Sequence, residues 1–306
     1  MNGEFDIIGE FTKGLATNKH VKLGVGDDAA ALTFEGDAVV STDMLVENVH
    51  FKKAWSDATQ VGRKAIAVNV SDIEAMGAKP VAVVVAFGMP KDTPEDWVRW
   101  FMEGMKNEAA DAGVAIVGGD LSRSDLIVVS ITALGDMGKR KPVVRSGAKA
   151  GDVVAVRGRL GWAGAGHAAL SRGFRSPVDA VQASLVPKVP YGQGIVASDA
   201  GATSMIDISD GLLQDLGHVA RLSGVQIDID SSKLEIAEPL ERVAAATGKD
   251  PLEFVLAGGE DFALAATFPS PDQCPEGWTV IGTVGEGEGI TVDGGEPEFE
   301  GWDHFA

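Results

Sequence analysis

The chain has 306 residues, 45% of them hydrophobic and 23% charged, and carries a net charge of −19. That balance supplies a large apolar core, while its negative surface repels nucleic acid where no basic patch offsets it, and the short Lys139-Arg140-Lys141 run reads as a solvated loop. No apolar run approaches the ~20 residues of a membrane helix, the single Cys274 excludes an intrachain disulfide and a cysteine-rich metal site, and Met1 to Glu10 lacks a leader's basic-then-apolar pattern, so a cytoplasmic protein is the expectation.

In chain order, Val39-Val40-Ser41-Thr42-Asp43 reads as a strand that ends in polar residues. Thr59 to Gly77 reads as a helix stopped by Gly77 and Pro80, and a buried strand, Val81–Phe87, follows. Thr93-Pro94-Glu95-Asp96 opens the next helix, with Thr93 as cap, Pro94 in the first turn and Asp96 completing a capping box. Trp97, Phe101, Met105, Glu108 and Ala112 continue at helical spacing to a stop at Gly113. Strands Val114–Val117 and Leu126–Leu134 complete the first half. Gly135 to Gly151 is rich in Gly, Lys and Arg with weak periodicity and marks a junction, giving domains 1–140 and 141–306. Beyond it come a strand Val153–Val156, a Gly/Ala-rich helix around Trp162–Leu170, a strand Ser204–Ile208 running into a helix near Asp210, and strands Val225–Ile229, Phe262–Phe268 and Trp278–Val284. The class is α/β (α+β), with sheet order left open by the pattern.

The chemistry lies in acids placed at strand ends or among glycines. These are Gly26-Asp27-Asp28, Ser41-Thr42-Asp43, Asn69 with Asp72 on one helix face, Gly118-Gly119-Asp120, Asp207-Ile208-Ser209-Asp210-Gly211 and Gly258-Gly259-Glu260-Asp261. Asp72 sits in a helix that is apolar on most sides, so its charge needs either a cation or a salt bridge such as one to Arg63. Six such clusters together favour metal. Carboxylates, hydroxyls and carbonyls are hard oxygen donors that suit Mg²⁺, Mn²⁺ or Ca²⁺ rather than zinc or copper, and Mg²⁺ typically binds through one or two carboxylates plus substrate phosphates. The adjoining glycines let backbone N–H groups approach phosphate oxygens.

Gly24-Val25-Gly26-Asp27-Asp28-Ala29 matches a dinucleotide fingerprint, but two adjacent carboxylates repel a bare pyrophosphate. No G-x-x-x-x-G-K-[ST], H-R-D, D-F-G or G-x-S-x-G occurs, which removes the P-loop, protein-kinase and serine-hydrolase readings. His167 and His218 read as structural, and His50, beside an acidic cluster, reads as a structural hydrogen-bonder or a substrate contact.

Taken in order, these clusters resemble the thiamine-monophosphate kinase family, part of the ATP-binding superfamily that includes aminoimidazole ribonucleotide synthetase. The resemblance also takes in Gly3-Glu4-Phe5, Val49-His50-Phe51, Ala67-Val68-Asn69-Val70-Ser71-Asp72, Arg145-Ser146-Gly147-Ala148-Lys149 and Gly301-Trp302-Asp303-His304-Phe305. It implies a two-domain aminoimidazole ribonucleotide synthetase-like fold whose N-terminal sheet pairs across a homodimer. It implies ATP as co-substrate, several Mg²⁺ ions and thiamine phosphate as acceptor. Asp28, Ser41, Thr42, Asp43, Asp72, Asp120, Asp207 and Asp210 match the family's magnesium ligands. Gly119, Asp120, Arg145 and Ser209 match its ATP contacts, and His50, Glu260 and Trp302 its thiamine-phosphate contacts. Asp43, Asp210 and Arg145 are the expected catalytic set. Met44, Asn48 and Ala150 depart from the family's usual Thr, Gly and Pro. The sister activity, aminoimidazole ribonucleotide synthesis, is the alternative, and the Val49-His50-Phe51 and Gly301–Phe305 motifs argue against it.

Overall fold

A computed structural model of the chain describes Ile8, Gly9 and residues 11–299. The chain divides into two compact units, one formed by residues through Ile73 together with Ala78–Lys139, the other by Glu74–Gly77 and residues from Arg140 onward.

The first unit holds a four-stranded sheet of β3 (Ala38–Val46), β6 (Val128–Asp136), β4 (Lys79–Met89) and β5 (Ala115–Arg123), in the order β3-β6-β4-β5. The first two pairings are antiparallel and β4–β5 is parallel. A short antiparallel pair, β1 (Val21–Leu23) with β2 (Ala31–Leu32), forms a sheet of its own and packs Val21 and Leu32 against Val81, Ala82, Ala115 and Val117 of the four-stranded sheet. Alternation along β4 decides the faces: Val83, Val85 and Phe87 are buried, whereas Val84 and Ala86 are exposed. The buried face is covered by helices α1 (Ala58–Ala75) and α2 (Glu95–Ala112), with Phe87 stacked on Phe101 at 4.7 Å between ring centroids and Phe101 on Trp97 at 5.5 Å.

Both helices follow from the apolar periodicity, but the start of α2 does not follow the expected capping box. Pro94, extended at φ −61 and ψ 137, is the cap residue and no side chain caps the helix. Thr93 is buried and its N–H bonds Pro90 O, so its hydroxyl stands one residue too early to serve. Glu95 and Asp96 still place negative charge at the positive end of the helix. The strand expected to stop at Val117 runs on to Arg123, so Gly118, Gly119 and Asp120 lie within an edge strand rather than in a loop after it. Gly119 is required there, because a Cβ would lie 2.0 Å from Val85 O. Asp43 likewise sits within β3, three residues before its end at Val46.

The second unit is built on a six-stranded sheet in the order β12-β9-β11-β7-β10-β8. Its strands are β7 (Val153–Arg157), β8 (Ser204–Ile208), β9 (Gln226–Ile229), β10 (Ala263–Phe268), β11 (Thr279–Gly285) and β12 (Gly289–Val292). All pairs are antiparallel except β12 with β9. Strands β8 and β10 are buried along their whole length, and Phe268 meets Trp278 edge-on at 5.7 Å in the core between Met205, Leu264 and Ala266. Among the described residues six α-helices accompany the sheet: α3 (Trp162–Ser171), α4 (Val178–Leu185), α5 (Gln193–Asp199), α6 (Leu212–Ser223), α7 (Glu238–Thr247) and α8 (Pro251–Ala257).

Candidate functional site

In the first unit the edge strand β3 and helix α1 bring four of the expected residues together. Ser41 Oγ donates to Asp72 Oδ2 at 2.5 Å, and the Asp43 backbone N–H donates to Asn69 Oδ1 at 2.8 Å. Asn69 is itself anchored, its amide donating to Ala65 O one turn earlier at 2.9 Å. The spacing of Asn69 and Asp72 puts both on the helix face that meets β3. Arg63 does not relieve Asp72: nine residues at 100° per residue is half a revolution, so the two lie on opposite faces of α1. Arg63 pairs with Glu108 at 2.6 Å and Asp111 at 2.9 Å on α2.

The remaining acids of this unit lie elsewhere. Asp43 pairs across to Ile131 and Val85, on the helix-covered face, whereas Asp120 pairs through Ala86 and Ser130 to Met44, on the open face. Three strand spacings, about 14 Å, separate Asp120 from β3. Within the unit, therefore, Asp120 and Asp43 do not share an ion; Asp120 is engaged by Ser122 Oγ at 2.8 Å. Thr42 is on the open face too, its hydroxyl donating to Ile131 O at 2.9 Å. Asp28 is exposed in the turn between β1 and β2, with its N–H on Asp27 Oδ1. His50 closes the turn after β3. Its Nδ1 accepts from Val46 N–H at 3.0 Å, which leaves the proton on Nε2 as a donor. Asn48 in that turn has φ 68, a left-handed conformation that Asn tolerates better than most side chains.

The second unit gathers its residues around one strand-to-helix turn. Asp207, buried at 4% exposure, is in the last turn of pleat of β8, and Ser209, Asp210 and Gly211 lead into α6. Gly211 at φ 119 lets the turn pass Ala257, whose backbone would meet a Cβ at 2.9 Å. Asp215, one turn into α6, accepts from the N–H groups of Asp210 (3.0 Å) and Gly211 (3.1 Å), closing the helix start from within. Glu260 N–H donates to Ser209 O at 2.7 Å, so the Gly258–Asp261 segment lies against the same turn. The strand of chain bearing Arg145 is fixed to the far end of α6, where Ser223 Oγ donates to Arg145 O at 3.0 Å.

Asp215 and His218 were not among the site residues expected from sequence. Asp210, Asp215 and His218 offer ligand atoms within 4.8 Å of one another. The signal that could have revealed them is the i, i+3 spacing of Asp215 and His218 on the helix that Asp210 opens. His218 Nδ1 lies 2.8 Å from Arg221 Nη2, and since guanidinium only donates, Nδ1 accepts and Nε2 holds the proton. Burial, then the cations Arg221 and Arg145, hold His218 below the usual imidazole range. Burial pushes Asp215 up to about 7, and the charges of Asp207 and Asp210 push in the same direction. Three crowded carboxylates with a protonated imidazole nitrogen beside them form an all-oxygen donor set with an excess of negative charge, which fits a hard divalent cation of the Mg²⁺ type. In the first unit the Ser41 hydroxyl meets the Asp72 carboxylate, and Asp43 lies on the same face of β3 two residues on. Trp302 and the Gly3-Glu4-Phe5 and Gly301–Phe305 motifs lie outside the described residues. No helix among the described residues is long and apolar enough to cross a membrane.

The AIR synthase related proteins match this chain in two parts, their N-terminal domain over residues 26–137 and their C-terminal domain over residues 149–295. A thiamine-monophosphate kinase of Mycobacterium tuberculosis is 48% identical over 307 aligned positions, covering 99% of this chain and 92% of the relative. The crystal structure of thiamine monophosphate kinase from Aquifex aeolicus superposes with a TM-score of 0.80 at 35% identity, over 85% of this chain and 89% of that one. A structure of AaThiL complexed with AMPPCP and TMP gives a TM-score of 0.83 at 35% identity, over 99% of this chain and 97% of that one.

Proposed function

The chain belongs to the AIR synthase related proteins and, among them, to the thiamine-monophosphate kinases, and from that premise we propose how its residues divide the work. The reaction is ATP plus thiamine phosphate giving thiamine diphosphate plus ADP. An oxygen of the acceptor phosphate attacks the γ-phosphorus, the bond from that phosphorus to the bridging oxygen breaks, and ADP leaves. A phosphate monoester with a second pKa of about 6 is largely ionised at neutral pH, so the protein needs no strong base. Its task is alignment and charge neutralisation.

Asp28, Ser41, Thr42, Asp43, Asp72, Asp120, Asp207 and Asp210 hold magnesium, with Asp215 close to the last two. Magnesium supplies countercharge for the phosphate oxygens. Gly119, Asp120, Arg145 and Ser209 contact ATP, and Arg145 adds a forked donor suited to phosphate. Asp43, Asp210 and Arg145 form the catalytic set. His50, Glu260 and Trp302 contact thiamine phosphate; the indole face of Trp302 suits a flat heteroaromatic cation. The observation that supports this reading is the bond from Glu260 N–H to Ser209 O, which lays the segment bearing Glu260 against the turn bearing Ser209 and Asp210. A coupled assay for thiamine diphosphate with purified protein, ATP and Mg²⁺ tests it; ATP binding without that product would refute it. One cysteine without a disulfide suits a reducing cytoplasm, and recovery of the protein from a secreted or membrane fraction would refute that placement.

A homodimer is part of the proposal. The open face of the first unit's sheet exposes Val40 (59%), Met44 (50%) and Val84 (37%), an apolar strip that a second copy of the same sheet would cover. Met44→Glu is expected to convert a dimeric species into monomer in light-scattering measurements, with the unit still folded by circular dichroism. A dimer of unchanged stability in that variant would show that another surface is used.

A further inference from the structure

Resting on the reading of Glu260 as a substrate contact, we propose that Asp261 is a positioning residue for thiamine phosphate, holding Glu260 in its binding conformation by capping helix α3 from across the second unit.

Helix α3 begins without a cap of its own. Its cap residue is Gly161, at φ 80, with no side chain to accept the leading N–H groups. Asp261 supplies the missing acceptor. Its carboxylate takes the Gly161 N–H on Oδ2 at 2.5 Å and the Ala163 N–H on Oδ1 at 2.8 Å. The group is buried, at 7% exposure. Arg159, over the Trp162 ring at 4.4 Å, is the cation whose charge acts on it.

The chain on either side of this anchor is strained. Glu260 has φ 65 and Phe262 φ 50, the left-handed region that side chains other than glycine's rarely adopt. Glu260 N–H is fixed to Ser209 O at 2.7 Å and Phe262 N–H to Ile208 O at 2.8 Å. Gly259 completes the close approach, since a Cβ there would stand 2.7 Å from Ser209 O. The three residues are thus clamped on two sides: flanking amides on the β8–α6 turn, the central carboxylate in the mouth of α3. Released at Asp261, Glu260 would relax toward negative φ and carry its carboxylate away from the turn. Burial pushes Asp261 up to about 7, against the N–H groups of Gly161 and Ala163 and the charge of Arg159, which favour its ionised form. A strong, multiply bonded anchor is what a strained neighbour requires.

The test is a four-enzyme cycle of wild type, Asp261→Asn, Glu260→Gln and the double variant. KM for each substrate, kcat and thermal midpoint are read for all four. Asp261→Asn is expected to raise KM for thiamine phosphate about tenfold or more, to leave KM for ATP within about twofold, and to change KM for thiamine phosphate less than about threefold once Glu260 is already Gln. An equal effect in both backgrounds, or a loss shared by both substrates in step with the thermal midpoint, would reduce Asp261 to a structural cap and overturn the proposal. An unaltered KM in Glu260→Gln would overturn it as well, while wild-type turnover left the kinase reading standing; absence of wild-type turnover would overturn both. Should Asp261→Asn not accumulate as folded protein, Asp261→Ser, which keeps one small oxygen acceptor, carries the same comparison.

Discussion

Asp210→Asn should lower turnover by on the order of 10²–10³-fold, the loss that follows removal of one fixed group stabilising transition-state charge. The substitution keeps the shape of the side chain and the backbone N–H that bonds Asp215 Oδ2 at 3.0 Å, so the start of α6 stays closed. What it removes is a negative charge that, together with Asp207, disfavours the ionised form of Asp215 at the start of α6. Two consequences follow with opposite signs. Activity falls and its dependence on Mg²⁺ moves to higher concentration, because an amide oxygen is a weaker ligand than a carboxylate. Stability without metal holds or rises, because a repulsion has been relieved, as happens where a site is arranged for function rather than for folding. Steady-state rates across a Mg²⁺ titration, with thermal unfolding in the presence of a chelator, measure both. Near-normal activity at low Mg²⁺, or a lower midpoint in chelator, would contradict the assignment of Asp210 as a metal ligand. Asp43→Asn should behave similarly in rate. The signature differs in stability, since Asp43 is tied to Asn69 through its backbone and its cluster has Ser41 as a donor to Asp72.

Strong periodicity made β3, α1, β4, α2, β7, α3 and β8 legible, because each carries enough apolar positions to state its own period. The second unit's helices α4, α5, α7 and α8 were not. Helices α4, α5 and α8 have 8, 7 and 7 residues, too few turns for a pattern, and α7 and α8 open on prolines that read equally well as loop. Strand β5 was cut short at Val117 because glycines weaken a strand by propensity; the parallel contact with Val85, which demands Gly119, is a tertiary fact with no local trace. The candidate site shows the same division. Asp72, Asp207 and Asp210 stand out as acids in apolar company, so their sequence neighbours betray them. Asp215 looks like an ordinary helix acid until the turn at Asp210 folds back over it, and Asp120 looks like a partner of Asp43 until the strand order puts them on opposite faces and edges of one sheet.

Helix α1 carries Asn69 and Asp72 to β3, and two glycines decide how close that helix can come to its neighbour. A Cβ on Gly62 of α1 would stand 2.1 Å from Phe101 O of α2, and a Cβ on Gly104 of α2 would stand 2.1 Å from Thr59 O of α1. The helices therefore touch backbone to backbone, each lending the other a missing side chain. Gly104→Ala should destabilise the first unit by about 2 kcal/mol, since overpacking against an unyielding carbonyl outweighs the ~1 kcal/mol that alanine gains in a helix interior. Gly217, in the interior of α6, provides the opposite sign: nothing lies within 4 Å of its Cβ position, so Gly217→Ala should stabilise by about 1 kcal/mol. Denaturant unfolding of the two variants measures the contrast. Adding Gly62→Ala to Gly104→Ala should cost less than the sum of the two, because helices already pushed apart by one methyl have room for the second. Full additivity, or stabilisation by Gly104→Ala, would mean that the two helices are not in backbone contact, and the placement of Asp72 beside Ser41 would lose the packing on which it stands.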